Sequence, residues 1–143
     1  MAPDWDEMMR NGLTPYALLL VVLIGCGTAP RTAQYEDPLP VEAAALIAAY
    51  DANELAADAA YKGRLVRVGG SVREISKDIL GDPYVILVGN HKEILGVQCS
   101  FPAAATAVLS RLKKGDRASF DCRIDGKLMY VQAGKCAVNF PLP

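Results

Sequence analysis

Histidine is nearly missing from this 143-residue sequence; His91 is the only one. It sits in the polar stretch Gly89-Asn90-His91-Lys92, where an exposed turn residue is the simpler expectation than a catalytic base. The sequence also lacks a Gly-x-Ser-x-Gly elbow, a phosphate-binding loop and a dinucleotide fingerprint. Asp78 and Asp82 flank the first strand-to-strand turn and could form a carboxylate pair, but turn chemistry accounts for both. No catalytic constellation emerges, so a non-enzymatic protein with no cofactor is expected. Strong charge of either sign is lacking too: 15 basic and 16 acidic residues leave a net charge of −1. The basic footprint of a nucleic-acid binder is therefore not present. No long charge run marks an interaction tail, and there are no internal repeats.

What the sequence does have is a long apolar run near its start. Residues 13–25 are almost unbroken in this respect, with Leu18-Leu19-Leu20-Val21-Val22-Leu23-Ile24 at their centre. The run has the length of a signal-peptide core and falls short of the roughly 20 residues that span a bilayer as a helix. A buried core helix would carry a polar face, and this stretch has none. Its end, Leu23-Ile24-Gly25-Cys26, resembles the lipobox of bacterial lipoproteins. That resemblance implies cleavage before Cys26, where small Gly25 leaves the scissile bond open. It also implies a diacylglyceryl group and palmitate-type acyl chains on Cys26. Cutting there removes Arg10 and the three acids Asp4, Asp6 and Glu7, moving the net charge from −1 to +1. The acidic first seven residues do not suit a positive n-region, whereas Met8-Met9-Arg10-Asn11 does, which places the true start at Met8 or Met9. Gly27, where aspartate would resemble an inner-membrane retention signal, leans towards the outer membrane, facing the periplasm.

Residues 1–25 are thus expected to be a signal peptide, residues 26–40 a lipidated tether and residues 41–143 the domain. The tether is polar and carries Pro30, Pro38 and Pro40, without periodicity. A helix is predicted over residues 41–61, with Leu46, Ile47, Tyr50, Ala57 and Tyr61 near one face and Gly63 at its end. Strands are predicted over residues 64–73, 84–88 and 94–101, and Gly69-Gly70 suggests a bulge or bend in the first. A helix over residues 102–112 closes on Lys113-Lys114-Gly115-Asp116. Two more strands, residues 117–124 and 128–138, flank a turn at Asp125-Gly126-Lys127. The order is that of a five-stranded OB-like Greek-key barrel, mainly β, with an extra N-terminal helix and a helix between strands three and four.

The residues themselves strengthen this. Ala49-Tyr50-Asp51-Ala52-Asn53-Glu54, Ala57-Asp58, Tyr61-Lys62-Gly63, Gly70-Ser71-Val72, Val97-Gln98-Cys99-Ser100-Phe101, residues 112–116 and Cys136 together resemble the tRNA_anti-like family of bacterial OB-fold proteins. Cys122 departs from the resemblance, since such sequences more often have glycine there. The family name reflects a likeness to anticodon-binding barrels and does not establish tRNA binding.

With Cys26 assigned to lipid, an oxidising compartment would pair two of Cys99, Cys122 and Cys136. In OB topology the third and fifth strands run side by side in parallel, and Cys99 and Cys136 both lie late in them. A Cys99–Cys136 disulfide is therefore expected, with Cys122 a buried small hydrophobe; three reduced cysteines are the alternative. No metal is expected, because three scattered cysteines and one histidine lack close ligand spacing.

Three functions follow. The first is a membrane-tethered envelope module that meets a protein or small-molecule partner. The second is a single-stranded nucleic-acid binder on the strand 2–3 face, with Arg67, Arg73, Tyr84 and Lys92 as the candidate ligand face. Against it, Tyr84 and Phe101 lie in apolar runs and are expected in the core, and export removes the protein from most nucleic acid. The third, a cysteine-dependent redox protein, requires a reactive thiol.

Overall fold

The computed structural model describes residues 36–138. The apolar run, the Leu23-Ile24-Gly25-Cys26 motif and residues 26–35 of the expected tether lie outside the described residues. Strand β1 (Leu39–Glu42) leads into helices α1 (Ala43–Ala52) and α2 (Glu54–Tyr61). Strands β2 (Leu65–Lys77), β3 (Pro83–Val88) and β4 (Val97–Ser100) follow. A 3-10 turn (Ala103–Ala105) then runs into the one-turn helix α3 (Thr106–Leu109), and β5 (Arg117–Lys127) and β6 (Val131–Val138) complete the fold.

Pairing runs β2–β3–β4–β6–β5 and returns from β5 to β2, so five strands close on themselves as the OB-like order requires. Every pair within these five strands is antiparallel except β4–β6, which is parallel, as expected for the third and fifth barrel strands. Closure depends on the length of β2. Its first half pairs with β5 from Leu65 to Ser71, and its second half pairs with β3 from Ser71 to Lys77. Val66, Val68 and Val72 alternate into the core at 0% exposure, in line with the period-two pattern. The bulge lies after Val72, where Arg73 is looped out of register, and not at Gly69-Gly70. Gly70 instead permits close approach: a Cβ there would lie 2.9 Å from the Val88 carbonyl oxygen and 3.0 Å from the Ala43 Cβ.

The N-terminal helical segment differs from the single helix expected over residues 41–61. Leu39 and Pro40, read as tether, and Val41 and Glu42, read as helix, form β1, which lies parallel to β2 from Val66 to Gly69. The remainder breaks at Asn53, whose backbone is extended. Its amide N–H donates to the Ala49 carbonyl, and its side chain accepts from the Ala56 amide at 3.1 Å. One asparagine thus ends α1 and caps α2, a role its side chain fills better than most. Ala43, Leu46, Ile47 and Tyr50 recur at helical spacing and pack one end of the barrel. The Tyr50 hydroxyl donates to Asp58 at 3.0 Å, tying α1 to α2. Burial pushes the Tyr50 phenol above its ordinary range, and the Asp58 carboxylate adds to that. Leu109 and Leu112 are buried in the core cluster, although α3 ends at Leu109 and not at residue 112.

The last hairpin also departs from expectation. β5 runs through Asp125-Gly126-Lys127, and the turn falls at residues 128–130. Gly126 takes a left-handed φ of 118° at a register shift between Ile124 and Gly126, so it serves a bulge inside the strand.

Candidate functional site

The cysteines show the consequence of that hairpin. A turn at residues 125–127 would set Cys122 opposite Tyr130; the true register has Asp121 opposite Ala137 and Arg123 opposite Gly134, with a shift between. Cys122 therefore meets Cys136, and these two form the disulfide, not Cys99 and Cys136. Cys99 is the free thiol and Cys122 is a bridge partner, the reverse of the expected roles. Lys135, at φ 51°, takes up the irregularity just before Cys136. Cys99 has 0% exposure, and burial pushes its thiol up to about 12. Although scattered along the chain, the sulfurs of Cys99, Cys122 and Cys136 all lie within 4.8 Å of one another in space.

The four residues of the candidate ligand face do not form one surface. Arg67 lies on the β2–β5 wall, where its guanidinium donates both Nε and Nη2 to Asp121 at 2.7 and 2.8 Å. Asp121 is 7% exposed, and a bidentate guanidinium is the partner that a buried carboxylate needs. Arg67 lines an open groove of about 550 Å³ with Pro40, Glu42 and Arg117, and Arg117 is itself paired with Glu42 at 2.7 Å.

Arg73 and Tyr84 occupy the other wall. Tyr84 is half-buried on the outside of the barrel, not in the core, and its hydroxyl donates to Glu74 at 3.1 Å. Phe101 is in the core, as its apolar run suggested. Arg73 donates to the carbonyls of Glu93 and Ile94, reaches the Tyr130 hydroxyl at 3.3 Å and lies over its ring. These bonds hold the β3–β4 loop, residues 89–96, against the wall. Ile86 and Val88 are buried although they stand outside the core cluster. Gly96 explains how the loop reaches them: a Cβ there would lie 2.5 Å from Ile86 Cγ2 and 2.8 Å from the Leu87 carbonyl oxygen. Lys92 sits on this loop, in a second groove facing Ala44, Ile47 and Asp51 of α1. The wall's register row runs Glu74, Ile86, Gln98, Gln132 across four strands, and Tyr84 pairs with Ser100 beside it. Sequence reasoning missed Gln98 and Gln132, because only the parallel β4–β6 pairing sets them side by side.

This wall carries amides, hydroxyls and one carboxylate, and Gln132 donates Nε2 to the Tyr130 carbonyl at 3.1 Å. Among the described residues, Lys62, Arg67, Arg117, Arg123 and Lys127 each sit in an ion pair with a carboxylate. His91 is exposed in its turn. Asp78 serves the β2–β3 turn, its carboxylate accepting from the amides of Leu80 and Asp82 at 2.8 and 3.0 Å.

The tRNA_anti-like family profile matches residues 10–138 of the chain. Among solved structures, a lipoprotein from Klebsiella pneumoniae subsp. pneumoniae MGH 78578, provisionally named as nucleic acid-binding, is similar in fold. Its TM-score is 0.57 and its identity 18%, with 70% of this chain and 92% of that one covered. No curated protein matches this sequence.

Proposed function

Because the chain belongs to the tRNA_anti-like family, we propose that it is a lipid-anchored envelope protein whose OB-like barrel is a binding or structural module for a protein or small polar partner. The observation that carries the reading is the apolar run of residues 13–25 ending in Leu23-Ile24-Gly25-Cys26. A lipoprotein neighbour of the same fold supports it. The first strand of the domain, β1, begins at Leu39, so a tether of about a dozen residues would join Cys26 to the domain. Fully extended, such a tether reaches roughly 40 Å, enough to clear lipid headgroups. The Gln98, Gln132, Tyr84 and Ser100 wall is the surface proposed to meet the partner.

The test is the intact mass of protein extracted from membranes, measured beside a Cys26→Ala variant. Expected is a mature chain starting at an acylated Cys26, and a variant that loses the lipid mass and leaves the membrane fraction. A wild-type chain that keeps residues 1–25 and carries no lipid would overturn the reading.

Nucleic-acid binding, the role named for the Klebsiella protein, is the second reading. Phosphate affinity rests on cations available for the backbone, whereas Arg67 here is committed to Asp121 and Arg73 to the β3–β4 loop. Fluorescence anisotropy with a single-stranded oligonucleotide at low salt is expected to show no saturable binding. Micromolar binding that weakens steeply as salt rises would favour the second reading instead.

A further inference from the structure

Strand β6 stands between β4, its parallel partner, and β5, its antiparallel one. Each of the three strands carries one cysteine, and all three sulfurs meet in the core within 4.8 Å of one another. Two of them are joined and the third, Cys99, is a thiol beside that bond. The two seams of β6 differ in extent. β5 and β6 pair from Phe120 to Lys127, whereas β4 and β6 pair only from Val97 to Cys99. The disulfide therefore staples the seam with the longer ladder and leaves barrel closure at β4–β6 without a covalent tie.

We propose that Cys99, Cys122 and Cys136 form an intramolecular thiol–disulfide exchange site that moves the staple between the β5–β6 hairpin and the β4–β6 seam. In the exchange, the Cys99 thiolate attacks Sγ of Cys136. The Cys99–Cys136 bond forms as the Cys122–Cys136 bond breaks, and Cys122 leaves as a thiolate. Cys122 then takes up a proton equivalent to the one Cys99 gave up. One disulfide and one thiol are present before and after, so no external oxidant or reductant enters. Cys136 is the shared partner because β6 is the shared strand.

The buried position of Cys99 sets the rate. Only the thiolate attacks, and burial pushes the Cys99 thiol well above its ordinary range, so very little of it is ionised at neutral pH. Exchange is thus slow at neutral pH and gains about tenfold per pH unit until the thiol titrates. An exposed thiol of ordinary pKa would show that steepness only below about pH 8.5.

The experiment follows which cysteine is free in the full chain. Protein held at pH 7, 8, 9 and 10 is quenched in acid, unfolded, blocked with N-ethylmaleimide and cut with trypsin. Arg111, Arg117, Arg123 and Lys135 separate the three cysteines onto different peptides, and Cys26 is read on its own. Expected is transfer of the label from Cys99 to Cys122, about tenfold faster per pH unit and independent of protein concentration, while circular dichroism stays native. Cys99→Ser should abolish the transfer, and Cys122→Ser in a glutathione buffer should form Cys99–Cys136. A label that stays on Cys99 through pH 10, or moves only once the native signal is lost, overturns the proposal. Should Cys122→Ser not fold, the wild-type pH series decides alone.

Discussion

Phe120→Ala is expected to lower the free energy of unfolding by about 3–5 kcal/mol, the range for deleting a fully buried aromatic. Phe120 has 0% exposure and meets Phe101 edge to face, with ring centroids 4.8 Å apart and planes at 82°. That geometry sets the positive edge of one ring against the negative face of the other. Phe120 also stands opposite Val68 on β2 and Val138 on β6. Its loss would leave a cavity where the two strands flanking β5 both pack, and a barrel wall cannot collapse inward without breaking its ladder. For a domain of this size, with a total stability of about 5–15 kcal/mol, that is roughly a fifth of the whole at the least. Urea unfolding monitored by circular dichroism should show a lower midpoint with the slope unchanged. Leu55→Ala on α2, 83% exposed, is the control and should shift stability by less than about 0.5 kcal/mol. A loss below about 1 kcal/mol for Phe120→Ala would mean that the core does not depend on this ring.

Removing the disulfide is the second large effect. Cys122 and Cys136 are separated by 14 positions, and closing a loop of that length contributes about 3 kcal/mol in the chain-entropy model. Cys136→Ala should therefore cost about that much. Its unfolding midpoint should no longer respond to a dithiol reductant, whereas the wild-type midpoint falls on reduction. Cys122→Ala provides the contrast. If Cys99 takes over as partner of Cys136, this variant keeps a staple and loses clearly less than Cys136→Ala. Equal losses in the two variants would argue that Cys99 never bonds to Cys136, which bears directly on the exchange site.

Much of the barrel was legible from local pattern. Val66, Val68 and Val72 alternate on β2, and Asp78 and Asp82 lie in the turn that ends it. These features need only neighbours in sequence, so the sequence shows them directly. The helix break at Asn53 carried a readable signal, since an asparagine followed by Glu54 suits a helix start. The surrounding alanines hid it by making a continuous helix look equally good. β1 had no such signal: four residues form a strand only because β2 offers them an edge. The candidate ligand face is divided between walls for a related reason. Arg67 and Arg73 look alike on one strand, yet β2 turns from β5 to β3 between them and sends them to different walls.

The sequence by itself determined the order of the barrel strands, the alternation that gives the barrel an inside, and the family to which the chain belongs. Those properties are written in residue type and spacing along the chain. Only the tertiary structure decided which residues stand opposite one another. Shifts after Val72, at Gly126 and between Asp121 and Arg123 move the pairing by single residues, and a shift of one residue turns a side chain to the other face. That register, and not the spacing of the cysteines, joins Cys122 to Cys136 and leaves Cys99 as a thiol beside them.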